Sequence, residues 1–200
     1  MNGYERRKQG KMEQIFHAAF ELFNNYGFQK VSVNEIAQEA RVSPMTIYNY
    51  FGTKEQLYIE MLINWMDKQL EQYETILQSD QPFPDKTKEI MLGEIRSLNI
   101  MADEFLRSSA TELSELMVTM ERYSEDKVMP FFMRFVALGK QEGYIHAHLT
   151  DEMAIIYFTM FKNELSRNWE ASQTEASTHH VDQWIDLFFN GLSRSTVSKQ

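Results

Sequence analysis

The chain has 200 residues, 43% of them hydrophobic and 24% charged, with a net charge of −9 and no cysteine. That is enough chain to bury a core, while disulfides, thiolate catalysis and Cys-ligated zinc are all excluded. Charge interrupts every apolar run well before the roughly 20 residues a bilayer span needs, and the first turns hold no signal-like stretch, so a cytoplasmic location is expected.

Four prolines, eight glycines and an abundance of Met, Leu, Glu, Gln and Lys predict an all-α fold of about nine helices. The first helix is predicted from Arg6 to Tyr26, with Ile15, Ala18, Ala19, Leu22 and Phe23 on one stripe and Gly27 as its stop. Ser32 or Asn34 can cap a second, short helix that buries Ile36, Ala37 and Ala40. Ser43-Pro44 then opens a third, Pro44 to Phe51, which Gly52 ends. Thr53-Lys54-Glu55-Gln56 reads as a capping box for a long helix to Gln78.

The stretch 79–89, "SDQPFPDKTKE", is the clearest break, and Asp85 is expected to cap the helix after it. Met91, Ile95, Leu98, Ala102 and Phe105 form that helix's stripe, which ends before Ser108. Helices are then expected over 111–122, over 125–142 with an early interruption at Pro130, over 150–169, and over 181–194 after a polar loop. In the last two, apolar side chains cover an arc too wide for one partner. One face serves the monomer, and Phe158, Phe161, Trp184, Phe188 and Leu192, beside Gly191 for close approach, are candidates for a homodimer seam. Met91, Leu98, Met101, Phe105, Met117, Met120, Tyr123 and Phe132 are adaptable wall material, for a ligand cavity or simply for a core.

Charge is unevenly spread. Residues 1–54 hold seven Lys or Arg against five Glu, whereas residues 55–200 hold 13 bases against 24 acids. A head suited to phosphate on a body that phosphate would repel is the implied arrangement. Two short helices joined by a tight turn make a helix-turn-helix over about residues 32–51, whose second helix would enter a DNA major groove. Ala37, Val42, Ile47 and Phe51 would be buried, leaving Met45, Thr46, Tyr48, Asn49 and Tyr50 outward, with Arg6, Arg7, Lys8 and Lys11 as a basic arm.

Ile36-Ala37, Ala40, Val42-Ser43, the aromatic run Tyr48-Asn49-Tyr50-Phe51 and Lys54-Glu55-Gln56-Leu57 together resemble the DNA-binding head of the TetR family of transcriptional regulators. The resemblance covers about residues 11–66 and is faint beyond them. It implies that Tyr48, Tyr50 and Lys54 anchor phosphates while Met45, Thr46 and Asn49 face bases. Arg41 departs from it, standing where the family usually has glycine. If that turn needs φ > 0, arginine costs on the order of 1 kcal/mol there, although its guanidinium could reach a phosphate, as could groups near Ser43 at the helix start.

The resemblance further implies a DNA-binding domain over 9–69 and a helical ligand-binding and dimerisation domain over 80–200. The expected function is that of a sequence-specific regulator, most simply a repressor released from a palindromic operator by a small molecule. A helical interaction adaptor without DNA binding is the alternative. His146, His148, His179 and His180 have no carboxylate or nucleophile at a defined spacing, so no enzyme, metal or cofactor is expected.

Overall fold

The computed structural model describes residues 3–105, 110–169 and 177–191, and their regular structure is helical throughout. In chain order the helices are α1 (Gly3–Tyr26), α2 (Val33–Glu39), α3 (Pro44–Phe51), α4 (Lys54–Gln78), α5 (Phe83–Phe105), α6 (Ala110–Tyr123), α7 (Met129–Gln141), α8 (Asp151–Trp169) and α9 (Ser177–Asn190). A π-helical stretch, Ser124–Val128, carries α6 into α7. The helix expected over 125–142 is irregular early, as anticipated: π-helical geometry runs to Val128 and α7 starts at Met129, with Pro130 in its first turn. The chain forms two compact units, residues 1–71 with 100–126 and residues 72–99 with 127–200, which cut across the segments expected from sequence.

The first unit is built on aromatic burial. Phe23, Phe28 and Tyr58 pack with ring centroids 5.0–5.4 Å apart, and Phe16 meets Phe51 at 5.4 Å. Ile15, Ala19, Ile36, Ile47 and Leu57 fill the space between, so α1, α2, α3 and the start of α4 share one core. Gly27, at φ +82°, donates to the Phe23 carbonyl over 2.7 Å and ends α1 as expected. Leu116 is buried in the same cluster, Met120 packs against it, and Tyr123 donates to the Asp67 carboxylate at 2.9 Å. These contacts explain why residues 100–126 group with the head. Burial and the Asp67 carboxylate push the Tyr123 hydroxyl pKa up.

In the second unit Phe83 stacks near Phe135 and Tyr144, while Phe132, Phe135, Phe158 and Phe188 form a chain of edge contacts. Gly139 permits this closeness, since a Cβ there would lie 2.6 Å from both Ile145 and Phe83. Gly93 likewise makes room for the Tyr73 ring. Lys86, buried in α5, donates to the Leu77 carbonyl at 3.0 Å and so closes the end of α4. Asp85 is exposed in the first turn of α5 and is not its cap, because the helix already begins at Phe83.

Two expectations for the last helices change. Phe158 and Phe188 are buried inside this unit, so neither is free for a seam between chains. Phe161 and Trp184 are half-buried and meet edge-on at 5.9 Å. α9 also stops at Asn190 rather than Arg194, with Gly191 at φ +59° supplying the left-handed stop. Among the described residues of this chain no atom lies within 4 Å of a Cβ built there, so within the chain the left-handed stop is what the glycine serves. Leu192 lies outside the described residues.

Phe188→Ala should therefore destabilise the protein by about 3–5 kcal/mol through lost burial and the cavity left behind. Urea unfolding checks this, and a change below about 1 kcal/mol would return Phe188 to the surface.

Candidate nucleic-acid interface

Backbone chemistry fixes α2 and α3 before any side chain can read anything. Ser32 caps α2: its N–H and hydroxyl both donate to Glu35 Oε2 at 2.7 Å, and Glu35 N–H returns a bond to Ser32 Oγ at 3.3 Å. The Ser32 hydroxyl, then its backbone N–H, hold the Glu35 carboxyl below its usual pKa. After Ala40 the chain reverses through Arg41 at φ +53°, the left-handed conformation that the departure from glycine raised, and Val42 N–H closes onto the Ala37 carbonyl at 2.9 Å. Ser43 then caps α3, accepting from Thr46 N–H at 3.1 Å, and its hydroxyl pairs with Thr46 Oγ1 at 2.9 Å.

With Ile47 and Phe51 buried beneath α3, Met45, Tyr48 and Asn49 turn to solvent. Met45 is 65% exposed and Tyr48 49%, a strongly presented pair for so short a helix. Tyr50 is half-buried, with its ring near Phe51, and Lys8 Nζ stands 5.9 Å from its centroid. Arg6, Arg7, Lys8 and Lys11 belong to the exposed first turns of α1 rather than to an extended arm, and the Lys8 contact brings that basic run beside α3. Sequence reasoning missed this contact, which joins residues 42 positions apart and leaves no local pattern.

Lys54 behaves differently from its expected role. Its ammonium donates to the Phe28 and Val31 carbonyls at 3.0 and 3.1 Å and lies 4.1 Å from the Phe28 ring centre. A positive charge placed there ties the start of α4 to the loop between α1 and α2, which makes Lys54 first a structural group.

The eight residues expected as ligand wall divide between the two units. Met117, Met120 and Tyr123 belong to the first unit, with Met117 exposed; Met91 and Phe132 are buried in the second. The side chains of Leu98, Met101 and Phe105 lie outside the described residues. Within the second unit, α7, α8, α9 and the turn after Gly143 line a cavity of about 310 Å3 that opens to solvent, to which Phe132 contributes. Phe135, Tyr144, Ala154, Tyr157 and Phe188 are among its other walls. Tyr144, immediately after a glycine stop, is the one sequence signal that could have pointed to this turn. Among the described residues no group of three or more His, Asp or Glu side chains could hold a metal ion.

Comparison with known proteins agrees with the head geometry. Residues 15–61 match the family model of bacterial regulatory proteins of the tetR family, so the head is of the TetR type. The chain is 31% identical over 78 residues to the HTH-type transcriptional regulator YvdT of Bacillus subtilis, covering 39% of this chain and 40% of that protein. It is 28% identical over 116 residues to the fatty acid metabolism regulator protein of the same organism, covering 55% and 60%. The chain thus spans well under two thirds of each of these relatives. Among solved structures, the fatty acid degradation regulator FadR of Bacillus halodurans superposes with a TM-score of 0.70 at 22% identity, covering 92% of this chain and 97% of that one. FadR of Bacillus subtilis in complex with stearoyl-CoA gives 0.67 at 21% identity, covering 90% and 99%. At these identities the structures establish a shared fold.

Lys54→Ala should lower stability on the order of 2 kcal/mol, since two charge-assisted bonds to carbonyls are lost. Thermal unfolding without DNA reads this. Unchanged stability with a reduced salt dependence of DNA binding would put the ammonium on phosphate instead.

Proposed function

We propose that the chain is a DNA-binding transcriptional regulator of the TetR type, acting as a repressor that a small molecule releases from a palindromic operator. The carrying observation is α3, which offers Met45, Tyr48 and Asn49 to solvent from a buried support of Ile47 and Phe51, with the basic start of α1 beside it. Asn49 suits a bidentate pair with adenine and Met45 an apolar contact to a thymine methyl. Tyr48, Tyr50 and the Arg41 guanidinium are assigned to phosphates, which position the helix without carrying sequence information. Thr46 and Ser43 are occupied with each other, so their part is to hold the first turn of α3.

A two-fold dimer completes this reading, because a palindrome is read by two heads in one event. The support lies in α8, where Met153, Ile156, Tyr157 and Met160 stand exposed at i, i+3, i+4 and i+7, one continuous apolar face. We assign the seam to these residues, replacing the buried Phe158 and Phe188. Residues 9–69 serve as the DNA-binding domain and 80–200 as the regulatory part. A shared fold with a regulator whose structure holds stearoyl-CoA supports a ligand-responsive body. A ligand acts there only through unequal affinity for the two head spacings.

Binding to duplex DNA should weaken steeply with salt, as counterion release requires. Asn49→Ala should relax preference at one base position per half-site, with a loss of about 1–3 kcal/mol in discrimination. Selection from a random DNA pool measures this; an unchanged motif removes Asn49 from readout, and absent or salt-insensitive binding favours an interaction adaptor.

Ile156→Arg should give a folded particle near one 23.7 kDa chain in sedimentation, with operator affinity lost. A variant that stays dimeric places the seam elsewhere.

A further inference from the structure

The cavity in the second unit has mostly apolar walls. Phe132, Phe135, Phe158 and Phe188 are buried behind it, Ala154 leaves the space that a larger residue would fill, and no Asp, Glu, Lys or Arg lines it. One neighbouring pair of charges is closed on itself. Lys140 at the end of α7 binds Asp151 at the start of α8 over 2.7 Å, bracing the turn that carries Tyr144 and His146. A carboxylate or phosphate seated in such a space would give up water and find no Lys or Arg to meet it, only the His146 ring.

Size narrows the occupant further. About 310 Å3 lies at the lower end of the roughly 300–1,000 Å3 that small-molecule sites occupy. Polar ring atoms come from Tyr144, His146 and Tyr157 alone. Tyr157 donates its hydroxyl proton to the Phe188 carbonyl at 2.8 Å, so toward an occupant that oxygen can only accept. Met153 and Tyr157 also belong to the exposed α8 stripe, so whatever fills the cavity presses on that face.

We propose that this cavity binds a compact, uncharged aromatic molecule carrying one hydrogen-bond donor, and that the occupant acts on the α8 face through Met153 and Tyr157. This deepens the ligand-responsive reading above and rests on it for its regulatory part. A phosphate-bearing acyl thioester is not the molecule these walls suit, even though the fold is shared with a protein that holds one.

The test uses the full chain and three probes. 1-Naphthol, uncharged at pH 7, should bind one per chain in titration calorimetry, at least tenfold tighter than 1-naphthoate, which keeps the ring and adds a charge. Stearoyl-CoA should not displace it. Ala154→Phe and Leu149→Trp, from different walls, should each weaken naphthol at least tenfold. Hydrogen exchange on the wild type, which needs no variant to fold, should show naphthol protecting residues 144–158. Naphthoate binding as tightly as naphthol, displacement by stearoyl-CoA, undiminished affinity in the folded variants, or no protection over 144–158 would each overturn the proposal. DNA binding is measured separately without probe. Its absence sinks the regulator reading and leaves the cavity assignment standing, whereas absent naphthol binding with intact DNA binding sinks the cavity alone.

Discussion

The outward face of α3 depends on one backbone reversal. α3 can look outward only because the chain turns at residue 41, where the left-handed conformation lets Val42 N–H return to the Ala37 carbonyl. A helix-forming φ at that position would carry α2 onward and leave Ile47 and Phe51 with nothing to pack against. The aromatic core of the first unit is thus a consequence of the turn as much as its support. Arginine tolerates the conformation at a cost of about 1 kcal/mol relative to glycine, small against the burial it makes possible.

Two lysines show how the units close their helix ends. Lys54 and Lys86 each stand near the beginning of a helix, and each sends its ammonium onto carbonyls of an earlier segment: Phe28 and Val31 in one case, Leu77 in the other. Carbonyl oxygens at chain ends and turns carry partial negative charge that nothing else nearby neutralises. Lysine suits the task because its long apolar stem can lie against apolar surface while its head donates to carbonyls. Lys54, at the start of α4, is thus engaged within its own unit.

Punctuation was the legible part of the sequence. Ser43-Pro44 and Gly52 bracket α3 to the residue, Gly27 ends α1 where expected, and Thr53 Oγ1 caps Gln56 N–H at 3.0 Å. These signals are local, since a cap or a left-handed stop acts within one turn. What could not be read was partnership. Phe158 and Ile156 are both apolar and two residues apart on α8, yet one is buried in its own unit and the other faces solvent. Helical spacing reports that an arc is apolar, not which neighbour covers each part of it. The same limit hid the destination of the Lys54 ammonium, the joining of Leu116 to the head core, and the cavity walls, which draw on three helices and a turn. Gly191 was ambiguous for a different reason, because a glycine signals close packing and a left-handed stop with the same letter.

The openness of Met45 has a chemical side as well. Its thioether is the oxidisable sulfur on the outward face of α3, in a chain with no cysteine to intercept an oxidant first. Conversion to the sulfoxide would exchange an apolar, flexible end for a polar and chiral one on that exposed face. Ile47 and Phe51, buried under the same helix, would hold the scaffold unchanged while this happened. The two faces of α3 thus differ in durability: the inner one is shielded from solvent chemistry, and the outer one is shielded only while another molecule covers it.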